Sequence, residues 1–415
     1  MSEAFLDFIA ASPSSYHAAH EVGRRLRAAG FTQQDEATAW SATPGGHFLI
    51  RGGAVLAWWV PDAQPDAFRI IGSHTDSPGF KLKPRGDLSS ADFQQAGVEV
   101  YGGPIIASWL DRELALAGRI VLRDGSTRNV ATAGDFRIPH LAIHLDRSIN
   151  EDLKLDRQAH TQPIFAVGHP DTSVLDVVAA AAGVDKDDIL SHDMITVDAQ
   201  RGALFGVDKQ LIAAGRMDNL SSVYASLQAF LAATTSASDV LVLAAFDHEE
   251  IGSASTTGAA GPILEDVLSR TAAALGAGFE ESKQMYARST CVSADAAHSL
   301  HPNFVSRHDP VNYPLLGQGP VAKVNANQRY ATNALTHALW EQACVAASVP
   351  SQVFAGNNNS PCGSTIGPIT ATRLGIDTVD VGIPLLSMHS ARELAHVQDM
   401  AWLEQALLSY LTLSR

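Results

Sequence analysis

The chain has 415 residues, 46% of them hydrophobic and 18% charged, with a formal net charge of −15. That composition suits a folded globular protein of roughly two to three domains' length and excludes a disordered one. No basic block is present, which argues against nucleic acid and anionic membranes as partners, since both are held by clustered Lys and Arg.

The three cysteines, Cys291, Cys344 and Cys362, form no CxxC pair. A thiolate zinc site is not expected, and the odd, wide spacing fits a reducing cytoplasm. The N-terminus carries no basic segment followed by a long apolar core, so no secretory signal is expected. No apolar run reaches the ~18 residues of a membrane span.

Residues 1–31 read as a helix broken at Ser-Pro-Ser-Ser, with Ser14 or Ser15 capping the second half and Gly30 ending it. Three apolar runs follow, His47–Ile50, Ala54–Val60 and Phe68–Ile71, and read as buried strands. From about 87 to 207 short strand-like runs recur, such as Gly97–Tyr101, Arg119–Leu122 and His140–Ile143, with a helical stretch over Ser173–His192. This reads as an inserted, mostly β domain. Beyond Gly215, helix and strand alternate: Leu220, Val223, Leu227, Phe230 and Leu231 follow helical spacing, and Val240–Phe246 is a continuous apolar strand. Helices are predicted over Pro262–Leu275, Asn333–Ser348 and Val397–Leu413, and strands over Thr290–Ala294 and Val379–Gly382. Such alternation implies an α/β layer architecture, a central mixed sheet flanked by helices. The expected division is a discontinuous catalytic domain, 1–86 with 208–415, and an insert at 87–207.

His74, Glu249-Glu250 and Asp295 each lie just after a strand, and His389 lies a few residues beyond another. In open α/β sheets ligands bind beyond the carboxyl ends of the strands, so residues distant in sequence can meet there. Asp218 precedes a helix and reads equally as an N-cap. Any one of these residues alone is ordinary. Together, two His and three carboxylates without a thiolate suit zinc, manganese or cobalt.

The motifs carry more than the spacing. Gly72-Ser73-His74-Thr75-Asp76-Ser77-Pro78, Gly215-Arg216-Met217-Asp218-Asn219-Leu220, Phe246-Asp247-His248-Glu249-Glu250-Ile251-Gly252-Ser253, Ser293-Ala294-Asp295-Ala296-Ala297-His298 and Met388-His389-Ser390-Ala391-Arg392-Glu393 resemble, in order, the metal motifs of the aspartyl aminopeptidases. These are dinuclear zinc metallopeptidases. Pro139–Leu145 and Gly319–Tyr330 also match, so the resemblance spans nearly the whole chain.

The resemblance implies two Zn2+ per chain, with Mn2+ or Co2+ as substitutes. Asp218 would bridge the ions, His74 and Asp295 would bind one, and Glu250 and His389 the other. Asp76 would orient His74, and Glu249 would take a proton from the attacking water and return it to the leaving amine. Substrate contacts are implied at His140, Glu249, Asp295, His298, Lys323, Tyr330 and His389, with Lys323 facing an acidic side chain. Peptides with N-terminal Asp or Glu are the implied substrates. The insert is implied to pair subunits, placing His140 in a neighbour's site within a tetrahedral dodecamer. Two positions depart from the family pattern: Asn359 stands where Asp is usual, and His248 where Asn is frequent. Two alternatives stay open, an aminopeptidase of broader or neutral specificity and a non-catalytic oligomeric shell protein.

Overall fold

The four apolar runs at Phe68–His74, Val240–Phe246, Thr290–Ala294 and Asp377–Gly382 are the parallel heart of a mixed sheet. The computed structural model describes residues 2–413. Across the nine-stranded sheet the order is Thr32–Gln33, Gly45–Arg51, Ala54–Val60, Val240–Phe246, Phe68–His74, Thr290–Ala294, Asp377–Gly382, Val321–Val324 and Gln352–Ala355. Ala54–Val60 and Val321–Val324 join the parallel core antiparallel to it.

Alternation explains the layers. Along Val240–Phe246, Leu241, Leu243 and Ala245 enter one core, while Val240, Val242, Ala244 and Phe246 enter the other. A strand covered on both faces is apolar throughout, which is why this run shows no polar period. The first core is closed by the helices Ser2–Ala11, Ser15–Ala28, Met217–Ala233, Ala334–Ala346 and Val397–Thr412. The second is closed by Ile263–Ala274, Phe279–Arg288 and Ile366–Leu374. The result is the expected α/β architecture.

A second, six-stranded antiparallel sheet runs Thr127–Ala131, Leu114–Leu122, Ile189–Asp198, Gly79–Ser90, Phe93–Tyr101 and Ile164–Val167. Its own core includes Phe80, Leu116, Ile120, Phe136 and Met194. Helix Val174–Ala182 packs Val174 and Val178 into this core, and a capping box between Ser173 and Asp176 starts it.

Three local expectations are corrected. His140–Ile143 is no strand: it lies in an irregular loop where Leu141, Ile143 and Leu145 alternate but face solvent, with no neighbouring strand to pair them. The helix expected over Ser173–His192 ends at Ala182, because Gly183 adopts a left-handed conformation with φ 64°. The sequence re-enters a strand at Ile189. Ser14 stands at the expected N-cap, but its hydroxyl bonds His17 Nδ1 at 2.8 Å, not a backbone N–H. Among the described residues no helix is long and apolar enough to cross a membrane.

Candidate metal centre

Parallel strands deliver their carboxyl ends to one edge, and the register sets which residues meet. Phe246 pairs with His74, so Asp247, Glu249 and Glu250 emerge beside the imidazole. Ser293 pairs with Gly72, which brings Asp295 to the other side of the same strand. Asp218 arrives from the start of helix Met217–Ala233, below this edge. It takes non-helical dihedrals there, and the Asp218–Asn219 peptide is cis. Asn219 Nδ2 donates to Ala294 O at 2.9 Å and ties this helix start to the Asp295 strand.

The cluster has two halves that share Asp218. His74 Nε2 lies 3.3 Å from Asp218 Oδ1 and 3.7 Å from Asp295 Oδ1. His389 Nε2 lies 3.4 Å from Asp218 Oδ2 and 3.4 Å from Glu250 Oε2. Donor atoms about 2.0–2.2 Å from a tetrahedral zinc stand roughly 3.4 Å from one another. The spacings of both halves therefore suit ligation. Asp218 Oδ1 and Glu250 Oε1 are buried and have no hydrogen-bond partner in the protein. Buried carboxylate oxygens without donors are costly, and a cation satisfies them. The donor set fits zinc on these protein atoms. Asp218 Oδ1 and Oδ2 instead face the His74 and His389 imidazoles, which disfavours the N-cap alternative.

The surrounding groups hold this arrangement. His74 Nδ1 bonds the main-chain carbonyl of Asp76 at 3.0 Å, with the Asp76 carboxylate at 3.4 Å. That carboxylate mainly serves the neighbouring turn: it accepts from Glu249 N and Glu250 N, both at 3.1 Å, and from Tyr101 OH at 2.8 Å. His389 Nδ1 bonds Gly103 O at 2.9 Å. Carbonyl partners of this kind fix the imidazole tautomer and aim Nε2 at an ion. Sequence reasoning missed Glu393 as a functional group. Its carboxylate is buried and accepts from Asp218 N at 3.0 Å and His389 N at 2.8 Å, so one side chain positions two candidate ligands. Its place four residues after His389 was the available signal.

The protein's own charges shift several groups. Burial alone would lower the His74 pKa, but hydrogen bonds to Asp218, Asp295 and Asp76 raise it well above the usual value. His389 is pushed up to about 10, as the Asp218 hydrogen bond and the Glu250 charge overcome burial. Burial and the nearby Asp218 charge hold Glu250 well above the carboxylate range. Burial likewise raises Glu249 to about 8, opposed by His74 and reinforced by Asp295 and Asp218. Glu249 Oε2 lies 3.8 Å from His74 Nε2 and remains partly accessible.

The implied substrate residues fall into two places. Lys323 is 2% exposed; its Nζ donates to Ala296 O at 3.1 Å and lies 3.7 Å from Asp295 Oδ2. Tyr330 packs its ring 5.1 Å from that Nζ, and Phe354 joins Tyr330 to the exposed His298 ring. His140 stands apart, exposed, with Nδ1 3.0 Å from Asp111 Oδ2 in the six-stranded-sheet region. Of the two departures, His248 has φ 64°, the left-handed region Asn tolerates well, and bonds Ser255 Oγ at 2.8 Å. Asn359 lies exposed in a turn, its N–H bonded to Asn357 Oδ1.

Comparisons with known proteins converge. A family model described as Aminopeptidase I zinc metalloprotease (M18) matches residues 8–410. The chain is 46% identical to the Probable M18 family aminopeptidase 2 of Streptomyces coelicolor, covering 98% of this chain and 96% of the relative. Among solved structures it is similar to a chain in the cryo-EM structure of the Ape4 and Nbr1 complex, at 36% identity and TM-score 0.94, covering 99% of this chain and 85% of that one. It is also similar to the S. cerevisiae mApe1 dodecamer, at 26% identity and TM-score 0.85, covering 99% and 95%.

Proposed function

The chain belongs to the M18 family of zinc aminopeptidases, and on that premise we propose that it removes N-terminal Asp and Glu from peptides. The carrying observation is Lys323, a buried ammonium beside Asp295 at the edge of the metal centre. A carboxylate side chain placed there gains a charge-assisted bond in a dry pocket, whereas an apolar one leaves the ammonium without a new partner.

The centre would take two zinc ions, one held by His74 and Asp295, the other by Glu250 and His389, with Asp218 available to both. Both oxygens of Asp218 facing different imidazoles support this. Zinc, when bound, acidifies water and polarises a carbonyl. The chain's own work is proton handling and placement. Glu249 accepts the proton of the attacking water on its carboxylate and donates it to the leaving amine. The acidic edge formed by Glu249, Asp295 and neighbouring carboxylates attracts a free α-amine, which confines cleavage to the first residue. We also read residues 87–207 as an oligomerisation domain around His140. The exposed Leu141, Ile143 and Leu145 and the dodecamer of the yeast relative support it.

The test is the relative kcat/KM on Asp-, Glu- and Leu-p-nitroanilide. Lys323→Ala is expected to lower the acidic rates roughly 10- to 100-fold, the value of one charged hydrogen bond, and to spare Leu. An unchanged Asp-to-Leu ratio sinks the reading. A broader specificity is the second reading, favoured by one observation: Lys323 already has Ala296 O and Asp295 as partners, so an acidic substrate must compete with them.

A further inference from the structure

Asp380 is a fully buried carboxylate that the metal centre does not use. Its oxygens take three short hydrogen bonds: from Ser293 Oγ at 2.6 Å, Thr365 Oγ1 at 2.5 Å and Ala331 N at 2.6 Å. Its own N–H donates to Thr332 Oγ1 at 2.9 Å. Side chain and main chain of one residue thus grip both Ala331 and Thr332, immediately after Tyr330. The lateral link reaches Lys323. Val321 pairs with Gly382 and Ala322 with Val381, which brings the two strands together one position short of Lys323 and Asp380. Burial raises the Asp380 proton affinity and the nearby Lys323 charge lowers it, so the two side chains lie within electrostatic reach.

The surroundings are cut to hold this carboxyl group. Gly367 opens helix Ile366–Leu374, and a Cβ there would stand 2.3 Å from Asp380 Oδ2 and 2.5 Å from Oδ1. The helix start also favours negative charge. Four of the candidate metal ligands have supports elsewhere, Glu393 for Asp218 and His389 and Asp76 for His74 and Glu250, while Asp295 stands 3.7 Å from Lys323 Nζ.

We propose that Asp380 is a positioning residue for the pocket of the substrate's first side chain, fixing Tyr330 through the turn after it and Lys323 across the strand pair. This rests on the reading that Lys323 and Tyr330 face that side chain. Without the carboxylate, three buried donors lose their acceptor and the Tyr330 turn loses its inner anchor. Selectivity and KM for the acidic substrate then change more than kcat.

The experiment measures kcat and KM of the zinc-loaded full chain on Asp- and Leu-p-nitroanilide, with zinc content and Tm alongside. Asp380→Ala is expected to raise KM for the Asp substrate about tenfold, with kcat within about threefold and zinc retained. Asp380→Asn keeps an acceptor for Ala331 N and is expected to recover most of the loss. Gly367→Ala displaces the carboxyl group with every donor intact, and should raise KM in the same sense if Asp380→Ala fails to fold. Equal losses on both substrates, a fall in kcat alone, or Asn performing no better than Ala overturns the proposal. Failure of all three variants to fold marks Asp380 as a stability residue and also overturns it. A wild-type chain without acid preference defeats the specificity reading alone; Asp380 is still judged by whether its variants change the Asp-to-Leu ratio.

Discussion

His74, Glu250 and His389 all carry raised proton affinities, yet metal ligation needs neutral imidazoles and ionised carboxylate. His389, raised to about 10, is protonated at pH 7 without an ion, so zinc uptake must displace that proton. Zinc affinity is therefore expected to rise with pH from neutrality up to about 10, with protons released at each uptake. Calorimetric titration of the stripped chain in buffers of differing ionisation enthalpy checks this. Heats independent of buffer contradict it. The residues that the structure gathers into the candidate centre were legible in the sequence, because each sits near the end of an apolar strand or inside a recognisable motif. Glu393 and Asp380 were not assigned roles. A buried carboxylate's partners are main-chain N–H groups and hydroxyls from distant segments, which leave no periodic trace.

At the scale of elements, the critical contact is between strand Asp377–Gly382 and the end of strand Thr290–Ala294. A Cβ on Gly382 would stand 1.8 Å from Asp295 O, so only glycine permits this approach. The same approach lets Asp295 N donate to Val381 O at 2.8 Å. Gly382→Ala is expected to cost about 1–3 kcal/mol of stability by overpacking and to displace Asp295. The readouts are Tm and bound zinc per chain; a wild-type zinc content at wild-type Tm refutes the prediction. The strands themselves were visible as apolar runs of the right length. Their order was not, since the sheet places Val240–Phe246 beside Phe68–His74 across more than 160 intervening positions. The loop around His140 was misread as a strand because Leu141, Ile143 and Leu145 have strand alternation. Alternation reports a one-sided apolar surface, and here that surface has no partner within the described residues of one chain.

At the scale of the molecule, that same loop concentrates exposed apolar groups, with Leu145 75% exposed. Contiguous apolar exposure marks an interaction surface. Leu141→Asp with Leu145→Asp is expected to shift the chain toward smaller species by light scattering and to lower activity together with size. Full activity in a dissociated variant argues against a site completed by a neighbour.

The sequence by itself determined the layer architecture, the strand-end placement of most candidate ligands, the family and the chemical type of the candidate centre. Those depend on local periodicity and on short motifs, which a linear chain carries intact. Only the tertiary structure decided which oxygen of Asp218 faces which imidazole, how Glu393 holds two candidate ligands, and that Asp380 grips the Tyr330 turn. Such relations arise from strand register and close packing, where the contacting residues lie tens to hundreds of positions apart. They exist only once the sheet has brought its edges together.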